Sequence, residues 1–150
     1  MLIFILNILW FVLGGFFAGL GWVLAGVIMA LTIVGRPWAR ACFMLARYTF
    51  WPFGYDIVSR EQLYGEPDIG TGALGTIGNI IWFVLAGWWL ALMHIAAAVA
   101  LAVTIIGIPF AWAHVKLAIA SLFPIGKTVV EADVLRLLPG NARARSTPTV

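Results

Sequence analysis

Two long stretches of this chain carry no formal charge. The first runs from Met1 to Gly35 and the second from Ile69 to Val115, where the titratable residues are two histidines, neutral by default at pH 7. A charged side chain at the centre of a bilayer costs about 2.5–3.5 kcal/mol on insertion scales, so long charge-free runs are typical of segments that reside in lipid. The sequence therefore predicts two membrane-embedded segments.

The composition excludes most other classes of protein. Of the 150 residues, 63% are hydrophobic and 10% are charged, whereas soluble domains carry about 25% charged residues. A chain this short cannot bury so much apolar surface. No serine–histidine–acid set, phosphate loop or carboxylate pair lies near the apolar segments, so we expect neither an enzyme nor a cofactor. The first segment is too long for a signal peptide and lacks a basic start, so we expect it to be retained.

The two halves of the chain are copies of one unit. An ungapped alignment of the chain with itself matches 7–58 with 79–130, and about two in five aligned positions are identical. Each copy reads Asn-Ile-x-Trp-Phe at its start, Gly-x-Pro in the middle and Pro-x-Gly at its end, and glycine and proline mark the boundaries. The predicted organisation is a first membrane repeat at 1–58, a polar loop at 59–75, a second membrane repeat at 76–130 and a polar tail at 131–150.

This doubled pattern, together with Gly87-Trp88-Trp89 and His94 in the second copy, resembles the bacterial YccF family. That family consists of small inner-membrane proteins built from two tandem inner membrane component domains. The resemblance covers nearly the whole chain and lacks only the tail. It implies a multi-pass protein of the bacterial inner membrane, and it supplies no reaction and no catalytic residues.

The length of each apolar segment constrains how it sits in the bilayer. Met1–Val34 as a single helix would be about 51 Å long, whereas the hydrocarbon core is about 30 Å thick. Basic residues follow both segments, and such residues stay on the cytoplasmic side. We therefore predict an all-α integral membrane protein with two helical hairpins in parallel, bent near Gly14-Gly15 and Ala86-Gly87, with the basic loop and the C-terminus cytoplasmic. The alternative is one long span per unit in an inverted repeat.

A shorter amphipathic helix follows each apolar segment. In the first copy Arg36, Arg40 and Arg47 fall on one helical face, which predicts an interfacial helix whose arginines meet anionic headgroups of membrane lipid. The alternative is an arginine stripe along an anion path. The second copy has no such stripe, because its counterparts are Ile108, Trp112 and Ile119.

His94 is the candidate functional residue within the second apolar segment. An ionisable group at membrane depth indicates a proton relay, a substrate contact or a gate, and the alternative is a hydrogen bond to a backbone carbonyl. We expect His114 and Lys116 to flank the membrane surface. The two histidines are twenty residues apart without a cysteine or carboxylate nearby, so no metal site is predicted.

Other repeated positions have structural interpretations as well as functional ones. Asn7 and Asn79 either cap a helix or bond across helices. Trp88 and Trp89 are predicted interface anchors. Small residues that allow close helix contact, within the chain or between copies, are Gly15, Gly19, Gly87 and Ala91.

Two functional hypotheses remain open. One is an oligomeric channel or transporter-like protein of unknown substrate, assembled from copies of this chain. The other is a structural or accessory protein that binds another membrane component, including a membrane-protein partner. The pI near 9.5 does not indicate nucleic acid, because the basic residues are split over two zones that flank the membrane.

Overall fold

The computed structural model describes residues 1–137, and within them the chain is helical with one small sheet, in agreement with the predicted class. The first half contains α1 (Leu2–Trp10), α2 (Phe16–Leu31), α3 (Arg36–Phe50), β1 (Tyr55–Ser59) and α4 (Arg60–Tyr64). The second half contains α5 (Ala73–Trp82), α6 (Trp88–Ala102), α7 (Ile108–Leu122), β2 (Lys127–Glu131) and α8 (Ala132–Leu137).

Both charge-free segments form long helices. Leu2–Leu31 and Ala73–Ala102 are 30 residues each and are apolar enough to cross a membrane, with a length of about 45 Å. A π-helical turn interrupts each one, at Phe11–Gly15 and at Phe83–Gly87. Such turns are a recognised cause of helix bends. In the first repeat the bend is reinforced by Gly14, whose φ is 150°.

The helical hairpins lie elsewhere than predicted. The bends occur near the expected positions, but α1 and α2 do not pack along each other as two limbs would. Instead α2 packs antiparallel to α3, and α6 packs antiparallel to α7. Gly19 and Gly26 face the rings of Phe50 and Phe43 across the first hairpin, and the absence of a side chain there lets the aromatic rings approach the α2 backbone.

The turn between the two limbs of each hairpin is built by a repeated threonine. The Thr32 hydroxyl accepts the Gly35 N–H at 3.0 Å and donates to a backbone carbonyl at the end of α2. Thr104 bonds the Gly107 N–H at the same distance. A proline then occupies the first turn of α3 and of α7, where its missing N–H costs nothing. The helix boundary predicted at Gly-x-Pro is confirmed in both repeats.

A two-stranded antiparallel sheet joins the repeats, and the sequence analysis missed it. Each repeat contributes one strand directly after its Pro-x-Gly turn, where the glycines adopt positive φ angles of 92° and 88°. In the β1–β2 register, Ile57 pairs with Val129, its own counterpart in the repeat alignment. A pseudo-two-fold axis that exchanges the repeats therefore passes between these two residues.

The core lies where α3 and α7 meet this sheet. Leu45 of α3 and its counterpart Leu117 of α7 are fully buried, and Val129 and Ile57 pack against the same cluster. Small side chains fill much of the rest of both helices, which allows close approach of the neighbouring helices. The core therefore has the same plan on both sides of the pseudo-two-fold axis.

Candidate functional site

The repeated asparagines hold the long helices to the Pro-x-Gly turns. The Asn7 side chain donates to the Phe53 carbonyl at 2.9 Å and accepts the Phe53 N–H at 3.0 Å. Asn79 makes the same pair of bonds to Ile125, at 3.0 and 2.9 Å. Neither asparagine caps a helix, and Asn7 is fully buried. Both side chains satisfy the main chain of a turn, which explains why both repeats have an asparagine at this position.

The repeated tryptophans act on the ends of α3 and α7. Trp10 Nε1 donates to the Thr49 carbonyl at 2.6 Å, and Trp82 Nε1 donates to the Ser121 carbonyl at 2.8 Å. These carbonyls lie in the last turn of a helix, where backbone acceptors lack intrahelical partners. The Asn-x-x-Trp motif thus fixes each long helix to the shorter helix of its own repeat.

The arginine stripe of α3 is divided between two environments. The Arg47 guanidinium lies 5.9 Å from the centre of the Tyr55 ring, at a distance typical of a cation–π contact. Arg36 and Arg40 are exposed and line a pocket. Within residues 1–137 neither of these two arginines forms an ion pair. The three arginines therefore do not act as one surface.

The pocket beside Arg36 and Arg40 has a volume of about 500 Å³. Two further cations line it, Arg60 at the start of α4 and Lys127 at the start of β2. No Asp or Glu of the described chain is among the lining residues. Apolar side chains of α5 form a further part of its lining, through Leu74, Ile77 and Ile81. We call this feature the cationic pocket.

Arg60 is held in place by an acid that lies just outside the lining of the cationic pocket. Its guanidinium donates to both carboxylate oxygens of Asp68, at 2.7 and 2.9 Å. This hydrogen bonding to Arg60, with further bonds from the N–H groups of Gly70 and Thr71, lowers the pKa of Asp68 to about 2. The loop before α5 is therefore tied to the rim of the pocket.

Lys127 brings a cation from the second repeat to the same place. Its ammonium donates to the Ile119 carbonyl at 3.3 Å. Burial lowers the pKa of Lys127, because desolvation disfavours the charged form. The sequence analysis missed Arg60 and Lys127 as site residues, because they come from parts of the chain distant from α3. The sequence did contain a signal for both residues. Arg60 directly follows the segment 55–59, and Lys127 begins the equivalent segment 127–131.

The charge of the cationic pocket has no equivalent in the second repeat. The counterparts of its four cations are all uncharged: Ile108, Trp112, Ala132 and Tyr55. The counterparts of the lining residues Trp38 and Ile125 are both aromatic there: Phe110 stacks on Trp10 at 6.3 Å and meets Phe53 edge-on at 5.6 Å. The same fold thus carries four cations at one location and none at the equivalent one.

The histidines of the second repeat form a pair. His94 Nδ1 and His114 Nδ1 are 3.0 Å apart, so one ring donates a hydrogen bond to the other. The Trp10 ring lies 4.9 Å from the His114 ring. His114 therefore contacts two side chains within the fold, and Lys116 forms an ion pair with Asp56. The two histidines lie equally far from the turn at Thr104, so the α6–α7 hairpin brings them together.

The remaining predicted positions have clear places in the structure. Gly15 lies under the Trp10 ring, and Gly87 lies against Trp82 and the last carbonyls of α7. Ala91 is buried. Trp88 and Trp89 follow the second π-helical turn and are about half exposed, at 49% and 53%. Among the described residues, no group of three or more histidines, cysteines or acids is placed to hold a metal ion.

The two long apolar helices, the duplicated architecture and the exposed apolar surface together define a helical integral membrane protein. The inner membrane component domain model of the YccF family matches the chain twice, at residues 5–55 and 77–127. The chain belongs to the YccF family and is an inner membrane protein.

Curated relatives support the same assignment over nearly the full length. The chain is 39% identical over 145 residues to inner membrane protein YccF of Escherichia coli (strain K12), covering 94% of this chain and 97% of the relative. The protein of the same name from Shigella flexneri matches with the same identity and coverage. No solved structure matches the chain.

Proposed function

We propose that this protein is an accessory membrane protein that acts by binding another membrane component. The observation that carries the proposal is the cationic pocket. The pocket leaves its cations accessible from outside the protein. Part of its lining belongs to α5, which is part of a helix long enough to cross the membrane. A pocket in that position is open to molecules that reside in the bilayer.

The polar groups of the long helices do not favour a transport path. A path for ions or solutes needs polar side chains that face a cavity. In the described chain, Asn7 and Asn79 bond to turns, His94 bonds to His114, and the Thr76 hydroxyl donates to the Gly72 carbonyl. These contacts use the polar side chains for internal structure, which supports a binding role.

In the orientation that fits this role, both repeats run in the same direction across the membrane and their basic zones lie in the cytoplasm. In an inverted repeat the pseudo-two-fold axis would lie in the membrane plane. The β1–β2 pair, through which the axis passes, would then lie at the bilayer midplane together with Asp56 and Glu131. Open sheet edges and charges are disfavoured there, so the parallel arrangement is supported.

A photocrosslinking comparison in native membranes tests the binding role. A photoreactive phenylalanine derivative replaces Ile81 on the pocket wall, and in a second variant it replaces the counterpart Leu9. Both positions are 43% exposed, so the two variants have equal accessibility and differ in whether the replaced residue lines the cationic pocket. We expect position 81 to form a defined adduct with another membrane component and position 9 to form none. Adducts with the chain itself alone would contradict the proposal.

A second candidate function is passage of protons or small solutes through an assembly of several copies. The observation that favours it is the His94–His114 pair, which connects α6 to α7 within an apolar region. Exposed apolar faces on both long helices supply surface for self-association. Proteoliposomes that contain the purified protein test it by proton flux. This candidate requires flux that His94→Ala abolishes and that Cys42→Ala, at the counterpart of His114, leaves unchanged.

A further inference from the structure

The charge of the cationic pocket restricts what can occupy it. Four cations converge there, and Asp68 neutralises one of them from outside the lining. Arg36 and Arg40 remain without an ion-pair partner in residues 1–137. Guanidinium groups bind phosphate through parallel N–H···O bonds, and an uncompensated pair of them favours an anion. The complementary group is a phosphate.

The shape of the cationic pocket restricts the occupant further. About 500 Å³ lies in the usual range for a small-molecule site. The cations lie on α3, α4 and β2, whereas Leu74, Ile77 and Ile81 form a hydrocarbon wall along α5. A free anion would leave that wall without a partner. A molecule with an anionic head and an apolar chain would contact both sides.

The second repeat shows that the fold does not need these cations. At the counterpart location Ile108 and Trp112 replace Arg36 and Arg40. The α6–α7 hairpin, its turn and the side-chain hydrogen bonds of the repeated asparagine and tryptophan nevertheless form in the same way. Two lining residues of the first location are also smaller than their counterparts. Gly75 and Gly78, which line the cationic pocket, correspond to Ile3 and Leu6. Cations and small lining residues therefore occur together at one of two equivalent places.

We propose that the cationic pocket binds an acidic phospholipid, with its phosphate among Arg36, Arg40 and Lys127 and the start of an acyl chain along α5. This inference rests on the proposed binding function and names the class of its ligand. Arg60, held by Asp68, forms the edge of the headgroup site nearest the polar loop. Because α5 is part of a helix long enough to cross the membrane, we expect the lipid to enter the pocket along that helix.

Native mass spectrometry of the detergent-purified full chain tests the assignment, with phosphatidylglycerol and zwitterionic phosphatidylcholine as probes. We expect the wild type to retain phosphatidylglycerol at least tenfold more tightly than phosphatidylcholine. The double variant Arg36→Gln/Arg40→Gln should lose at least tenfold in phosphatidylglycerol affinity, because it removes two charge-assisted contacts. Arg47→Gln is the matched control, since it removes one charge from the same helix outside the pocket, and it should bind as the wild type does.

A second variant guards against loss of folding. Arg36→Ile/Arg40→Trp installs the residues that the second repeat already accommodates at these positions, and it should fold and also lose the lipid. Equal binding by both variants and the wild type would overturn the site. Inorganic phosphate that displaces the lipid at similar concentration would show that the apolar wall contributes nothing, and the lipid assignment would be wrong.

The outcome separates this inference from the function it rests on. If position 81 is crosslinked to a membrane protein and phosphatidylglycerol does not bind, the accessory role stands and the lipid assignment is wrong. If the lipid binds in the expected pattern and the proteoliposomes carry a specific proton flux, the pocket stands and the accessory role is wrong.

Discussion

The two repeats share a skeleton, by which we mean the same backbone fold and the same side-chain hydrogen bonds to it. They differ in the other side chains that this skeleton carries. Both have the asparagine clamp, the tryptophan bond to a helix end and the threonine turn, with closely similar bond lengths across equivalent pairs. In the first repeat, Arg36 and Arg40 border an open pocket. In the second, two phenylalanine rings meet at that location and two histidines meet across the hairpin.

This comparison separates the requirements of folding from those of function. A polar residue that occurs in both repeats with the same bonds is explained by the fold, as Asn7 and Asn79 show. A polar residue that one repeat lacks is not needed to build the unit. The cations of the pocket and the histidine pair belong to this second group, and they are where function is to be sought.

The largest expected effect concerns the orientation of the repeats. Glu61 and Asp133 are counterparts in the repeat alignment, so parallel repeats place them on one face and inverted repeats on opposite faces. After Cys42→Ala, we expect Glu61→Cys and Asp133→Cys to react with an impermeant thiol reagent from the same side of the membrane. Labelling from opposite sides would break the comparison, because equivalent residues would then meet different environments.

The next largest effect is the loss of an asparagine clamp. Asn7→Ala and Asn79→Ala each leave a turn N–H and a carbonyl without partners, so each should lower the free energy of unfolding by about 2–4 kcal/mol. Equilibrium unfolding in detergent micelles measures this. Glu61→Ala, an exposed change, should stay within about 0.5 kcal/mol of the wild type. A cost in one repeat alone would show that the skeleton is not shared.

The sequence was sufficient for the repeat, the helix boundary at Gly-x-Pro and the helical class, because these depend on local signals. Gly-x-Pro and Pro-x-Gly mark turns through the backbone angles of the residues themselves. Helix pairing was not predictable in the same way. Length and charge show that a segment is apolar, but the α2–α3 pairing depends on Phe50 and Phe43 meeting Gly19 and Gly26 across the hairpin.

The candidate site was harder to predict than the fold. The arginine stripe indicated an anionic partner from one helix alone, and it grouped Arg47 with Arg36 and Arg40, from which the structure separates it. Lys127 reaches the pocket because β2 pairs with β1. That pairing joins segments from the ends of two different repeats, and no periodicity within either segment reports on it.

A smaller effect distinguishes the two tryptophans. Trp82→Phe removes one hydrogen bond to a helix end and should cost about 1 kcal/mol. Trp10→Phe removes the equivalent bond and also weakens contacts with Phe110 and His114, so it should cost about 0.5–1.5 kcal/mol more. The same micelle unfolding assay measures both. Equal costs would show that the ring contacts of Trp10 with Phe110 and His114 add no stability.

The smallest expected effect is the pH response of the loop that leads to the cationic pocket. Arg60 lowers the pKa of Asp68 from 3.8 to about 2, so the folded state favours the charged carboxylate. Its contribution is fully present above the unfolded pKa and is lost as the pH falls through about 2. The Gly70 and Thr71 N–H groups bond to Asp68. Their hydrogen exchange, corrected for the intrinsic exchange rate, should become faster as the pH falls from 3.8 to about 2.

Two variants sharpen the pH experiment. Asp68→Asn removes the charge that Arg60 binds, so exchange at Gly70 should be fast at pH 5 and should show no further step on acidification. Glu66→Gln, a change to a neighbouring exposed acid, should keep the wild-type profile. A step near pH 4 in the wild type would mean that Arg60 does not hold the carboxylate. The loop at the rim of the cationic pocket would then be no more ordered than a solvated loop. The difference in charge between the two repeats would then rest on Arg36, Arg40 and Lys127.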